Sequence, residues 1–107
     1  MKKSSVFVFQ LFAMVTIGIG VQTNAIADES LAKAKNCTAC HGVDNKLLGP
    51  SFKDIAAKYK GDEAASATLQ GKIKKGGGGV WGDVPMPPNP AVSDDEAASL
   101  VKWIMSL

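Results

Sequence analysis

Cys37-Thr38-Ala39-Cys40-His41 is the stretch of this chain that decides its fold. It has the C-x-x-C-H spacing of the attachment sequence for a c-type haem. Two thiols three positions apart lie on one side of a helical turn, where both can form thioethers with the vinyl groups at one edge of a porphyrin. The adjacent imidazole is then held under the iron as the proximal ligand. The chain has two cysteines and one histidine, and all three fall within these five residues.

Three other chemistries compete for the same residues. An exported protein with two cysteines can hold a disulfide. A C-x-x-C pair can be a thioredoxin-like redox site, but that site expects a βαβ context, which the sequence lacks. A zinc site needs four ligands, and two cysteines with one histidine fall short. Haem attachment agrees best with the rest of the chain, while a disulfide or a free dithiol stays open as the alternative.

Residues 1–27 have the pattern of a cleaved secretory signal peptide. The positive start Lys2-Lys3 precedes an apolar run from Val6 to Val21 and the A-x-A pattern Ala25-Ile26-Ala27. The alternative is an uncleaved membrane anchor, but the run is shorter than the roughly 20 apolar residues that a spanning helix requires. We therefore predict cleavage after this pattern and a soluble mature domain of residues 28–107.

The composition of this domain bears on its partners and on its stability. The net charge of +2 comes from the two lysines of the signal, and the chain has no arginine. With no basic surplus to neutralise phosphates, a nucleic-acid partner is not expected. A domain this small buries a limited core and often needs a covalent staple. A flat apolar cofactor bonded at two points would supply it, so we expect the haem-free chain to be poorly folded.

Four helices and no strand are predicted, which gives an all-α fold class. Apolar residues at i, i+3, i+4 and i+7 mark the second helix, and a capping box opens the fourth. The predicted segments run from Asp28 or Glu29 to Asn36, from the N-cap Ser51 to Tyr59, from Asp62 to about Lys75, and from Ser93 to the C-terminus.

The long segment from Gly76 to Val92 supplies a candidate for the sixth ligand of the iron. It opens with four glycines, which we interpret as a flexible hinge, and ends in a proline-rich stretch that contains Met86. The other methionine of the domain, Met105, lies off the apolar face of the last helix. Met86 is therefore predicted to be the distal ligand, with simple packing as the alternative, because methionine is a common gap-filler in cores.

Ligation by histidine and methionine would fill both axial positions of the iron. Substrate would then find no open coordination site, which argues for a one-electron carrier and against an enzyme. The rival from another class is a five-coordinate haem enzyme or gas sensor, such as a small peroxidase-like protein. The sequence offers such a protein no spare histidine or arginine for distal acid–base chemistry.

The mature domain resembles the short bacterial monohaem class I cytochromes c of the cytochrome c-551/c-552 type. The resemblance covers essentially all of residues 28–107. It rests on Cys37-Thr38-Ala39-Cys40-His41, Leu48-Gly49-Pro50, Lys53-Asp54-Ile55-Ala56-Ala57-Lys58-Tyr59, Gly79-Val80-Trp81-Gly82, Pro85-Met86-Pro87-Pro88-Asn89 and Val92-Ser93-Asp94-Asp95-Glu96-Ala97.

The resemblance implies the class I cytochrome c fold, with about four helices packed around one haem c per chain. The haem would be attached through Cys37 and Cys40, with His41 and Met86 as the iron ligands. The resemblance also implies a monomeric periplasmic electron carrier. Its redox partners would be respiratory-chain donors and a terminal reductase, oxidase or peroxidase.

The resemblance further implies contacts that support the haem. The Pro50 carbonyl would accept the Nδ1 proton of His41, Trp81 would bond a propionate, and Asn89 would orient the Met86 sulfur. In two places the chain departs from the pattern: Lys72 stands where some relatives carry Arg, and Pro90 is an extra residue. Some of a group of lysines are expected to ring the haem edge and to steer docking to acidic partners: Lys33, Lys35, Lys46, Lys72, Lys74 and Lys75.

Overall fold

A computed structural model of the chain describes residues 17–20 and 29–107. Within these ranges the chain forms four α-helices and no strand, apart from two isolated antiparallel bridges. The helices are α1 (Glu29–Ala34), α2 (Phe52–Tyr59), α3 (Ala65–Lys75) and α4 (Asp94–Ile104), with a short 3-10 helix at Cys37–Ala39 between α1 and α2. The predicted cleavage site lies outside the described residues.

Two of the four helices begin at the serine caps that the sequence predicts. The Ser51 hydroxyl accepts a hydrogen bond from the Asp54 amide at 3.0 Å. At the start of α4 the Ser93 hydroxyl accepts from the Glu96 amide at 3.1 Å, while the Glu96 carboxylate accepts from the Ser93 amide at 2.9 Å. This capping box satisfies two amides that the first turn leaves without helical partners.

Helices α1 and α3 are shorter than predicted, and α4 ends at Ile104 rather than at the C-terminus. Helix α1 ends at Ala34 because Asn36 adopts a left-handed conformation with φ 60°, which turns the chain into the 3-10 helix. Helix α3 begins at Ala65 rather than directly after Asp62. The Asp62 carboxylate accepts from the Ala64 amide at 2.8 Å, and this local bond holds the preceding residues in a turn.

All four helices contribute to one hydrophobic core. Helix α4 supplies its centre with Leu100 and Val101, which are 1% and 2% exposed. The loop residue Val92 is fully buried just before α4 and fixes where that helix starts. Met105 packs at the margin of this core, as the sequence predicts. The full set of core residues is Ala32, Phe52, Ile55, Leu69, Ile73, Val92, Ala97, Leu100, Val101 and Ile104.

The N-terminal and C-terminal helices are joined by a side-chain clamp at Lys35. Its ammonium group lies 3.0 Å from the Glu96 carboxylate on α4 and donates to the Ala91 carbonyl at 3.0 Å. The Lys35 carbonyl in turn accepts from the Asn89 side-chain amide at 3.3 Å. This clamp fixes the end of the loop before α4 against the residues that lead into the C-x-x-C-H motif.

Candidate cofactor site

His41 is held in one orientation by a buried hydrogen bond. Its Nδ1 lies 2.7 Å from the Pro50 carbonyl oxygen, as the resemblance predicts. A carbonyl can only accept, so this contact requires the proton on Nδ1 and leaves the lone pair on Nε2. A histidine in this tautomer presents Nε2 to a metal, with the ring orientation set by the second-shell carbonyl.

Packing also holds the imidazole ring. Phe52, the first residue of α2, stacks on His41 with ring centroids 5.3 Å apart, and Trp103 of α4 meets Phe52 edge-on at 5.0 Å. On another side the chain passes so close that a Cβ added to Gly49 would lie 2.6 Å from the His41 Cε1. The imidazole is therefore fixed by contacts from α2 and from the loop at Gly49, and Trp103 of α4 supports the Phe52 ring from behind.

The two cysteines lie on the 3-10 turn that directly precedes His41. The amides of Cys40 and His41 donate to the Cys37 carbonyl at 3.1 and 3.0 Å, so one carbonyl closes the turn with a bond of 3-10 spacing and a bond of α-helical spacing. Both thiols are free of any disulfide and only partly exposed. Burial raises the pKa of the Cys37 thiol above its ordinary value and keeps it neutral.

The raised pKa weighs against a reactive thiolate at Cys37. In the described part of the chain, no group of three or more His, Cys, Asp and Glu side chains could hold a metal ion.

Met86 is held by main-chain hydrogen bonds. Its amide donates to the Gly77 carbonyl at 2.7 Å, and the Gly77 amide donates to the Met86 carbonyl at 3.0 Å. Three residues further on, the Asn89 amide donates to the Ile73 carbonyl at 3.1 Å, near the end of α3. The Asn89 side chain is bonded to Lys35, and its predicted role in orienting the sulfur stays a prediction.

One cavity of about 570 Å³ brings the predicted site residues together. Cys37, Cys40, His41 and Met86 all line it, and Met105 is not among its lining residues. Most of its wall is apolar and comes from core side chains such as Ile55, Leu69, Ile73, Leu100 and Ile104. Two thiols, an imidazole with a free Nε2 and a thioether around an apolar cavity fit a covalently attached haem.

The predicted lysine group is less positive than the sequence suggests. Lys33, Lys35 and Lys74 each lie within 3.0 Å of a carboxylate oxygen, of Glu29, Glu96 and Asp94 respectively. Of the six lysines, Lys35 and Lys72 line the cavity. The Lys72 side chain lies beside Gly77, where an added Cβ would be 2.7 Å from its Nζ. Some of the predicted lysines therefore lie at the cavity, and of the two that line it, Lys35 is paired with a carboxylate.

Sequence reasoning missed an apolar rim at the cavity mouth. Leu48, Val80 and Val84 line the cavity and are 65%, 46% and 64% exposed. Trp81 also lines it and lies under the Lys58 ammonium, 5.4 Å from the ring centroid. Leu48 and Val80 lie within stretches that carry the resemblance, and Val84 directly precedes Pro85-Met86, so their positions in the sequence were the available signal.

The family model for cytochrome c matches residues 29–107. Over 100 residues the chain is 48% identical to cytochrome c-551 of Pseudomonas aeruginosa, with 92% of this chain and 95% of the relative covered. It is 55% identical to cytochrome c-552 of Nitrosomonas europaea over 83 residues, which cover 78% and 81% of the two chains. The crystal structure of the Nitrosomonas europaea cytochrome c552 matches with a TM-score of 0.73 over 75% of this chain and 99% of that one.

The chain therefore belongs to the cytochrome c family, and the predicted class I cytochrome c fold is confirmed. Membership implies a covalently attached haem c and the role of an electron carrier rather than an enzyme. None of the helices in the described ranges has the length and hydropathy of a membrane span.

Proposed function

We propose that this protein carries single electrons through one haem c attached to Cys37 and Cys40, with His41 and Met86 as axial ligands. The observation that supports it most directly is that one cavity is lined by all four side chains, with His41 oriented by the Pro50 carbonyl at 2.7 Å. When bound, the haem supplies one-electron redox chemistry, and a thioether ligand favours its ferrous state.

The contributions of the chain itself follow from its contacts. The Pro50 carbonyl and the Phe52 ring hold His41 in place. The bonds between Gly77 and Met86 hold the other proposed ligand through the protein backbone. With both side chains held by the protein, a change of oxidation state of the haem would need little rearrangement, and the apolar wall would limit the access of water.

The same features weigh against the rival haem enzyme. A six-coordinate iron offers no open site to peroxide or to a gas. Among the side chains that line the cavity, Lys35 and Lys72 are the charged ones, and neither matches the His or Arg that peroxidase-like chemistry uses for proton transfer.

We also propose that residues 1–27 are removed on export and that the mature protein acts as a periplasmic monomer between respiratory redox proteins. The support is the signal pattern with its Ala25-Ile26-Ala27 site and the family's covalent haem. The intact mass of the exported protein tests cleavage. A species that starts at Asp28 is expected, and one that retains Lys2 and Lys3 and sediments with membranes would show an anchored form.

Acid–organic extraction of the purified protein tests covalent attachment, and the haem is expected to remain on the polypeptide. An optical redox titration of a separate native sample tests electron transfer, and the haem is expected to titrate as a single couple of one electron. Release of all the haem into the organic phase would contradict thioether bonds to Cys37 and Cys40. Cys37→Ala and Cys40→Ala should each weaken attachment, whereas Met105→Ala should leave it unchanged.

A further inference from the structure

We infer that Gly76 and Gly77 are positioning residues for the Met86 ligand, an inference that rests on the proposed ligation of the iron by Met86. These glycines form a seat at the C-terminal end of α3 on which the backbone of residues 86–88 lies. The sequence predicts a flexible hinge at the four-glycine run. In the structure Gly77 is hydrogen-bonded to Met86, and Gly76 lies against the backbone of residues 86–88.

The first part of the seat is a close backbone approach at Gly76. This residue ends α3 with φ 72° and ψ −164°, a conformation that is essentially restricted to glycine. A Cβ at this position would overlap the Met86 carbonyl oxygen and would lie 2.8 Å from the Pro88 nitrogen and 2.9 Å from the Pro87 carbonyl carbon. The clash would be with backbone, which cannot move aside as a flexible side chain can.

The second part of the seat is the reciprocal pair of hydrogen bonds between Gly77 and Met86, at 2.7 and 3.0 Å. Gly77 and Met86 are thereby fixed opposite each other, like one hydrogen-bonded pair of an antiparallel sheet. The Asn89 amide on the Ile73 carbonyl adds a third main-chain bond to α3. Because α3 packs in the core through Leu69 and Ile73, the seat ties the ligand segment to the rigid part of the fold.

The prolines around Met86 restrict the local backbone conformation but do not fix the position of the segment in the fold. The contacts with Gly76 and Gly77 fix that position. A change that lifts the segment off Gly76 moves the Met86 sulfur away from the iron while leaving the residue itself intact. The seat thus controls how firmly the sixth position is closed, and through it the redox potential and the access of external ligands.

Gly76→Ala tests the seat, and Gly61→Ala is its matched control. Gly61 follows α2 with φ 81°, so alanine is strained there too, but a Cβ would meet nothing within 4 Å and the residue does not line the cavity. The ferric proteins are compared by their sulfur–iron absorption band near the red end of the visible spectrum and by cyanide binding. We expect Gly76→Ala to weaken the band and to raise the apparent cyanide affinity by about tenfold, which corresponds to about 1.4 kcal/mol.

Equal band strength and equal cyanide affinity in Gly76→Ala and Gly61→Ala would overturn the inference. Met86→Ala in the same series separates this failure from failure of the proposed ligand. If Met86→Ala loses the band and Gly76→Ala keeps it, Met86 is the ligand and the seat is not needed. If Met86→Ala keeps the band, the ligand assignment itself is wrong.

Amide hydrogen exchange of the natural holoprotein provides a measurement that does not depend on a variant that folds. The amide protons of Gly77 and Met86 are expected to exchange at least about tenfold more slowly than those of the loop at 80–84, because they are bonded to each other's carbonyls. Exchange of both protons as fast as in that loop would show that the seat does not form and would also overturn the inference.

Discussion

The two sides of the cavity are built in different ways. On the proximal side, residues 37–52 place both cysteines, the histidine, its hydrogen-bond acceptor and its stacking ring within a short stretch of chain. On the distal side, Met86 reaches the cavity from a long loop and is held by main-chain bonds to Gly77. The position of His41 is thus set by contacts with side chains and a carbonyl close in sequence. The position of Met86 is set by backbone contacts with glycines, which have no side chains.

This difference predicts that substitutions on the two sides of the cavity have different effects. A change on the proximal side removes contacts to a buried side chain and should act on the stability of the whole domain. A change on the distal side shifts a loop whose end is tied to α3, so it should act on the iron environment before it acts on the fold. The following predictions test that division, starting with the largest expected effect.

His41→Ala should have the largest effect, because it removes the proposed proximal ligand and the ring on which Phe52 stacks. We expect no stable haem-loaded protein. Without haem the cavity of about 570 Å³ is left in a domain with a small core, so cooperative unfolding should be lost. Far-ultraviolet circular dichroism during heating and the haem-to-protein ratio measure both effects. A haem-free His41→Ala chain that melts as sharply as the natural holoprotein would contradict this expectation.

Gly49→Ala should damage the proximal side alone. The added methyl group would lie 2.6 Å from the His41 ring, so the ring or the loop must shift. Overpacking of this kind costs about 1–3 kcal/mol in the free energy of unfolding, measured by guanidinium denaturation. The sulfur–iron band should persist, because the Met86 segment is untouched.

Gly71→Ala is the control for Gly49→Ala. Gly71 lies within α3, and a Cβ there meets nothing within 4 Å, so alanine should stabilise by roughly 1 kcal/mol through its helix propensity. If Gly49→Ala were as stable as the natural protein, or if it lost the band while retaining its stability, the division between the two sides would fail.

The clamp at Lys35 joins the two sides, and its pH dependence tests that link. Hydrogen bonds from the Ser93 amide and the Lys35 ammonium hold the pKa of Glu96 below its ordinary value. A depressed folded-state pKa stabilises the domain at neutral pH, and this contribution is lost as the pH falls through that pKa. The unfolding temperature of the natural protein should therefore fall more steeply below about pH 4.5 than that of Glu96→Gln. If the unfolding temperatures of the two proteins fell in parallel below this pH, the clamp would contribute nothing to the stability of the domain.

Ser93→Ala separates the helix cap from the charge pair. It removes the hydroxyl that accepts from the Glu96 amide and should cost about 1 kcal/mol in the free energy of unfolding at neutral pH. The Glu96 carboxylate keeps the Lys35 partner in this variant, so much of the acid dependence should remain. A variant of unchanged stability would show that the capping box is not needed to start α4.

The smallest effect is expected from salt. Electron-transfer rates with an acidic partner should fall as ionic strength rises, because exposed charges are screened beyond about 10 Å at 0.1 M. The slope should be shallow, since Lys33, Lys35 and Lys74 already face carboxylates. Electron-transfer rates of Lys46→Gln and Lys75→Gln are compared, and the variant with the larger loss of rate identifies the lysine that lies nearer to the docked partner. A rate independent of salt would favour docking on the apolar rim of Leu48, Val80 and Val84.

The sequence predicted the proximal side well because its interactions are local. C-x-x-C-H, the Pro50 carbonyl and the serine caps each depend on residue types at short, fixed spacings. The sequence also identified Met86 as a residue that lines the cavity, although its bond to the iron stays a prediction.

What the sequence could not predict depends on contacts between distant residues. The pairing of Lys35 with Glu96, and of Lys74 with Asp94, is set by how α1, α3 and α4 pack. The seat is formed by the backbone of Gly76 and Gly77, and glycine has no side chain from which such a contact could be predicted. The sequence of four glycines therefore predicts only a flexible hinge. A main-chain bond between two loop segments leaves no residue-type signature, and only the folded backbone shows it.

The most direct test of the proposed carrier is the optical spectrum and midpoint potential of Met86→Ala beside Met105→Ala. Met86 lines the cavity, whereas Met105 packs at the margin of the core. We expect Met86→Ala to lose the sulfur–iron band, to show a lower potential and to bind cyanide or carbon monoxide readily, because one axial position is opened. Met105→Ala should retain the band and the potential. A Met86→Ala protein with an unchanged band and potential would contradict the closed, six-coordinate site on which the account rests.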